Sequence, residues 1–193
     1  MDDTDRLISR AARGDRQAFD ALIETRWARL VRIAARIVGD EEDARDVAQQ
    51  ACLRLWQTLD RFRPGEDLDG WIYRMVVNLA LDSLRRRRVR PEGRSAGCAA
   101  DLPLVDPAVG PETAMLAGEL ERALREITDD LPPRQRAVFV LTRVEGLAAP
   151  QVAEALGVTP STVRNTLFQV RAVIARRLRE RYPGLVGDGE DRP

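Results

Sequence analysis

Apolar positions recur every three or four residues along most of the chain, and no stretch shows the strict alternation of a half-buried strand. A short first helix is expected over Asp3 to Arg13. The stretch "DRQAFDALIETRWARLVRIAARIV" places Phe19, Leu22, Ile23, Leu30, Ile33, Ala34, Ile37 and Val38 on one side of a single amphipathic helix, which Gly39 ends. In "DEEDARDVAQQACLRLWQTLDRF", Asp40 is a capping residue, and Glu41, Glu42 and Asp43 suit the positive end of the helix that follows. The expected core face of that helix is Ala44, Val47, Ala48, Ala51, Leu55 and Leu59. After the loop "RPGEDLDG", with Pro64-Gly65 as its breaker pair, a third helix runs from about Gly70 through an arginine-rich end that Pro91 stops. On it Trp71, Met75 and Leu79 share the expected core face, while Tyr73, Arg74, Val77, Asn78 and Asp82 lie toward other faces. Core packing is the default for any aromatic there.

The stretch "PEGRSAGCAADLPLVDPAVGPE" is rich in Pro, Gly and Ala and poor in large apolar groups, so it reads as a flexible linker. Helices resume at about Glu112 to Thr128, Pro133 to Val144, Pro150 to Leu156 and Pro160 to Arg181, and the last residues are expected to fray. The fold class is therefore all-α. Two small helical domains, 1–90 and 112–182, are joined by an acidic linker, 91–111, and followed by a tail, 183–193.

"AAPQVAEALGVTPSTVRNTLFQVR" has the design of a helix-turn-helix. Ala153 is small enough for two helices to cross over it, and Gly157, four positions later, tolerates the positive φ of the turn. Val152, Leu156, Val158 and Val163 stand at the offsets that fix the interhelical angle. Thr159 caps the second helix, with Pro160 at its first position. The exposed start of that helix then presents Ser161, Thr162, Arg164 and Asn165, with Phe168 and Gln169 one turn on. Such side chains reach base edges and backbone in a major groove.

Composition narrows the chemistry. The 193 residues include no His, and the 31 basic residues, all Arg, balance 31 acidic ones. Without His most metal sites and general bases are removed, and Ser83, Ser95 and Ser161 have no imidazole to activate them. No enzyme, cofactor or metal is expected. "GDEEDARD" fails as a calcium loop because Arg45 stands where the tight turn requires Gly. Cys52 and Cys98 are far apart, without CxxC spacing, as in a reducing cytosol. The acidic, polar N-terminus is no signal peptide, and no apolar run approaches a membrane span, so a cytoplasmic chain is expected. Zero net charge hides a pattern: from Arg134 to Arg181 nine arginines face three glutamates. Arg85, Arg86, Arg87, Arg88 and Arg90 crowd the end of the third helix, where the helix dipole favours cations whatever the function.

Taken together, these segments resemble the extracytoplasmic-function class of bacterial RNA polymerase sigma factors, from Asp15 to Arg181. "DARDVAQQACLRLWQTLDRF" is similar to the family helix that docks on the clamp coiled coil of the polymerase largest subunit. "FRPGEDLDGWIYRMVVNLALDSLRRRR" resembles its promoter-melting segment, and "LPPRQRAVFVLTRVEGLAAPQVAEALGVTPSTVRNTLFQVR" its second DNA-binding domain. The resemblance implies an alternative sigma factor that binds core polymerase, at the clamp coiled coil and the flap, and directs promoter-specific initiation. It implies promoter DNA and an anti-sigma protein as partners, with a nucleoid-associated location. Polymerase docking transfers to Asp46, Gln49, Gln50, Leu53 and Arg54. Capture of a flipped minus-ten base transfers to the loop around Gly65, Asp67 and Asp69 and to Asn78. Trp71, Tyr73 and Arg74 stand beside it, and Arg85, Arg86, Arg87 and Arg88 hold duplex phosphates. Minus-thirty-five recognition transfers to Ser161, Thr162, Arg164, Asn165, Phe168 and Arg171.

Departures from the family carry expectations too. Gln50 replaces a frequent Glu and Cys52 a frequent Phe at the docking helix, and Asp69 stands where a basic residue is common. The recognition helix lacks two of the family's basic groups. The competing reading is a two-domain helix-turn-helix regulator that never touches polymerase, and binding to core polymerase without DNA separates the two.

Overall fold

The computed structural model describes residues 3–63, 67–89 and 111–185, with side chains omitted at 88, 89 and 111–117. Among the described residues there are helices and turns and no strand. The proposed linker, apart from Pro111, and the tail beyond Leu185 lie outside them, as does Gly65.

The first half is built from α1 (Asp3–Ala11), α2 (Arg16–Glu24), α3 (Trp27–Val38), α4 (Glu41–Thr58) and α5 (Leu68–Val89). The single helix expected from Asp15 to Val38 is two. The chain breaks at Thr25 and Arg26, where the Thr25 hydroxyl and the Arg26 guanidinium both donate to the Leu22 carbonyl, at 3.3 and 3.0 Å. These side chains satisfy a carbonyl at the end of α2 with no Gly or Pro present. Gly39 closes α3 with φ 78°, in the left-handed region. Asp40 accepts from the Asp43 amide at 2.9 Å and caps α4, as its sequence suggests. Its expected core face, from Ala44 to Leu59, is buried throughout. Asp67 caps α5 by accepting from the Gly70 amide at 3.0 Å. A Cβ at position 70 would lie 2.8 Å from the Asp67 carboxylate, so glycine keeps that cap in place.

The second half comprises α6 (Pro111–Asp129), α7 (Pro133–Phe139), α8 (Ala149–Leu156) and α9 (Pro160–Arg181). A single π turn, Val140–Val144, extends α7. The helix-turn-helix forms as its sequence requires. Gly157 has φ 63°, Ala153 is buried at the crossing, and the Thr159 hydroxyl accepts from the Thr162 amide at 3.2 Å. Ile127 and Leu131 meet Val170 and Ile174 in a small core that seats α6 on α9.

The halves are not separate bodies on a string. One continuous core runs from Leu22, Ile33 and Val76 in the first half to Leu141, Val152 and Leu156 in the second. The helix α8 lies along α5, and α7 with its π turn packs on α3. This closure explains a difference from the expected faces of α5. Tyr73 and Val77, placed away from its core face in sequence, are 2% and 0% exposed. With α3, α4 and α8 all packed around α5, more than one of its faces is buried.

Candidate nucleic-acid interface

Three surfaces hold the residues singled out in sequence. On α4, Asp46, Gln49, Gln50, Leu53 and Arg54 all face solvent, opposite the buried Val47, Ala51 and Leu55. Leu53 is 57% exposed, unusual for a leucine in the middle of an 18-residue helix. Beside it lies a groove of about 470 Å³ between α2, α3 and α4, lined by Phe19, Ile23, Trp27, Gln49 and Cys52 among others. Burial pushes the Cys52 thiol up to about 11, so it is protonated at neutral pH.

The second surface surrounds the start of α5. Trp71 is half-buried with its ring against Phe62, centroids 5.7 Å apart. Tyr73 is core, and the Arg29 guanidinium sits 5.0 Å over its ring. Burial raises the Tyr73 phenol to about 12. Asp69 is held by Arg26 at 2.6 Å, which offsets the negative charge it brings to the start of α5. Arg74 is paired with Glu154 of α8, and Asp67 accepts a long hydrogen bond from Gln151 of α8 at 3.5 Å. Asn78 faces solvent. In this arrangement the first helix of the helix-turn-helix engages Arg74 and Asp67, two of the side chains that the resemblance assigns to the minus-ten element.

Further along α5 the arginines are not equivalent. Arg85 pairs with Asp82 one turn back, at 2.9 Å. Arg87 reaches across to Asp43 and, at 3.8 Å, Asp40 at the start of α4. Arg86 is exposed at the rim of the crevice that Asp43, Asp46 and Gln50 also line. The Arg88 side chain lies outside the described residues.

The third surface is the solvent face of α9. Ser161, Thr162, Arg164, Asn165, Phe168 and Arg171 are all exposed, with Phe168 at 75%, while Val163 and Val170 point inward. A cationic and hydrogen-bonding face around one exposed aromatic is suited to a groove of duplex DNA.

A fourth cluster escaped sequence reasoning. Glu145, only 2% exposed at its side chain, follows the π turn and is turned toward α3. It accepts from Arg29 at 2.8 Å and Arg32 at 3.2 Å, and Arg36 lies 3.6 Å away. Arg29 also donates to the Glu145 main-chain oxygen at 3.1 Å. Desolvation opposes the charge on Arg29, but the bond to Glu145 and its neighbours' charges outweigh it, and its pKa is raised. Burial lowers that of Arg36. The spacing of Arg26, Arg29, Arg32 and Arg36 along one helix was the available signal. Nothing local pointed to Glu145 as their partner.

Among the described residues no group of His, Cys, Asp and Glu could hold a metal ion, and no helix is long and apolar enough to cross a membrane.

Comparison with known proteins agrees with this geometry. Residues 22–90 match the Sigma-70 region 2 family and residues 121–174 the Sigma-70 region 4 family. The RNA polymerase sigma-H factor of Pseudomonas aeruginosa is 31% identical, over 89% of this chain and 92% of its own. The RNA polymerase sigma factor CnrH of Cupriavidus metallidurans is also 31% identical, over 92% and 95%. The solved structure of CnrH in complex with the cytosolic domain of CnrY superposes with a TM-score of 0.67 at 25% identity, covering 93% of this chain and 99% of that one. Two sigma regions in order, on an all-helical frame with an exposed recognition helix, place the chain in the extracytoplasmic-function class of RNA polymerase sigma factors, which direct transcription from chosen promoters.

Proposed function

We propose that this sigma factor docks on the clamp coiled coil of core polymerase through the exposed face of α4, with Leu53 as the apolar anchor and Asp46, Gln49, Gln50 and Arg54 around it. The second half contacts the flap. Asn78 and the loop before α5 capture the flipped minus-ten base, with Trp71 and Arg74 beside it. The buried Tyr73 supports that surface from beneath instead of stacking on a base. Arg86, and the neighbouring arginines once released from their acidic partners, hold duplex phosphates. The exposed face of α9 reads the minus-thirty-five element. The chain acts by binding, without catalysis of its own, in the bacterial cytoplasm at the nucleoid. A regulatory anti-sigma protein fits the same reading, since the relative CnrH was solved with the cytosolic domain of CnrY.

The observation that carries this reading is the exposed face of α9: six polar, cationic or aromatic side chains that contribute nothing to the core. Run-off transcription with core polymerase on a genomic promoter library tests it. Transcripts that start at a shared pair of spaced elements and depend on this chain are the expected result. A chain that binds DNA but neither binds core polymerase nor yields such transcripts would return the assignment to a plain helix-turn-helix regulator.

A further inference from the structure

The helix α9 is longer than base reading requires. Its 22 residues rise about 33 Å at about 1.5 Å per residue, whereas a major groove is about 12 Å wide. Val163, Val170 and Ile174 face inward, so at about 3.6 residues per turn the opposite side carries one straight stripe. That stripe is Ser161, Asn165, Phe168, Ala172, Arg176 and Arg179, all of them exposed. Ser161 to Phe168 spans about 10 Å, enough for the groove itself. Arg176 and Arg179 lie about 12 and 16.5 Å further along the same line.

The arginines at this end of α9 are of two kinds. Arg177 and Arg181 turn toward α6, where both meet the Asp130 carboxylate, at 3.2 and 3.0 Å. Arg177 also donates to the Ile127 carbonyl at 3.3 Å. Those two fasten α9 on α6. Arg176 and Arg179 turn the other way. Arg176 comes within 3.8 Å of Glu180, but both side chains are well exposed, and such a pair is worth little. The helix dipole favours cations in the last turn on any face, so it does not explain why the stripe lacks the opposite charge. Acidic residues match basic ones in the whole chain, 31 to 31, yet none falls between Pro160 and Arg179. The solvent face of α4, by contrast, mixes Glu42, Arg45, Asp46 and Arg54. A face without carboxylates is complementary to a polyanion.

We propose that Arg176 and Arg179 form a second grip on the backbone phosphates of the minus-thirty-five duplex, at the rim of the groove that the start of α9 enters. The inference rests on the minus-thirty-five reading above and extends it beyond Arg171, the last residue that the resemblance assigned. A helix that fills a groove with its first turns carries its later turns past the flanking strand, where phosphates and not base edges are in reach. Guanidinium forks suit phosphate oxygens. Ala172, on the stripe between Phe168 and Arg176, adds no bulk to lift the helix from the duplex. The ties of Arg177 and Arg181 to α6 hold this end of α9 in place. The grip therefore sets the depth and register at which Ser161, Asn165 and Phe168 meet the bases.

The test uses the full chain and a duplex carrying the element that the chain selects from a random library. Arg176→Gln with Arg179→Gln changes two exposed side chains, and circular dichroism checks that the helices remain. Affinity should fall on the order of tenfold at moderate salt, and the log–log salt slope by roughly 0.9 for each lost contact. The order of preferred sequences should stay the same. Arg176→Lys with Arg179→Lys should recover most of the salt slope, because an ammonium also neutralises a phosphate. Replacing phosphates one at a time by uncharged methylphosphonates locates the grip. The parent should be sensitive at phosphates flanking the recognised bases to which the double Gln variant is indifferent. An unchanged salt slope in that variant would overturn the proposal. A changed order of preferred sequences would show that the two arginines read bases. Weaker binding of the variant to core polymerase without DNA would assign them to an acidic surface of the polymerase instead. A parent chain that selects no element, with or without core polymerase, would end the minus-thirty-five reading and this inference with it, before any variant is compared.

Discussion

The guanidinium of Arg136, on α7, donates to the main-chain oxygen of Ile37 at the end of α3, across 99 positions of sequence, at 3.1 Å. It also donates to the main-chain oxygen of Asp129 and lies 3.2 Å from that residue's carboxylate. One buried side chain thus satisfies a C-terminal carbonyl of α3 and of α6 at once, where the negative ends of both helices favour a cation. Burial lowers the pKa of Arg136 and raises that of Asp129, so the pair bears a desolvation cost that its hydrogen bonds must exceed.

Arg136→Met should therefore cost about 2 kcal/mol of stability, the loss expected when a charged hydrogen bond is removed and a carbonyl is left without its donor. Urea unfolding measures it. Because α3 and α7 belong to different halves, the same variant should also loosen closure, seen as a larger radius of gyration before unfolding. A variant as stable and compact as the parent would mean that water replaces the guanidinium without loss.

Cys52 gives a pH dependence with a definite sign. Burial holds its thiol near 11 instead of the ordinary 9.0, so the fold favours the protonated form. The stability this contributes is complete below the unfolded value and is lost as pH rises from about 9 through about 11. In a chain carrying Cys98→Ser, the alkylation rate should rise with a midpoint near 11 when folded and near 9 in denaturant. A shared midpoint would show that the groove beside α2 admits water freely.

How much of this was legible in the sequence follows from the range of the interactions. Caps and turns are local, so Asp40, Gly39, Thr159 and Gly157 announced themselves by residue type, and the structure uses each as expected. The core face of α4 was equally plain, because a period of 3.6 needs only one helix to be seen. The break at Arg26 was hidden because a side-chain bond to Leu22 made it, in place of a Gly or Pro. The burial of Tyr73 and Val77 comes from α3, α4 and α8 all packing around α5, contacts between residues far apart in sequence, such as Arg29 over the Tyr73 ring. The Glu145 cluster needs a π turn to aim one carboxylate at a distant helix, and neither event has a sequence signature.

Leu53 provides a direct test of the docking face. It is 57% exposed on α4, so Leu53→Asp disturbs no core packing and should change stability by less than about 0.5 kcal/mol. Binding to core polymerase should nonetheless be lost, because an apolar anchor at the centre of an interface commonly costs more than about 2 kcal/mol when removed. Affinity of the folded variant for core polymerase is the measurement. Unchanged affinity would move the docking site off this face of α4.

The arginines at the end of α5 and the side chains of α9 should fail in different ways when altered. Arg86 is exposed, whereas Arg85 and Arg87 are already paired with Asp82 and Asp43, so Arg86→Gln should cause the largest single loss. That loss should be nearly equal for all promoter sequences and should flatten the log–log salt dependence by roughly 0.9, the signature of one duplex phosphate contact. Arg85→Gln and Arg87→Gln must first be discounted for the carboxylates they release, which then repel DNA themselves. Asn165→Ala and Arg164→Ala leave the core intact, since both side chains face solvent. They should instead change which minus-thirty-five sequences are preferred, and discrimination should fall by roughly 1–3 kcal/mol for each bidentate base contact. Binding of the variants to a promoter library at two salt concentrations separates the two behaviours. If Arg86→Gln shifts sequence preference and leaves the salt slope unchanged, the arginine run reads bases, and its assignment to the phosphate backbone is wrong.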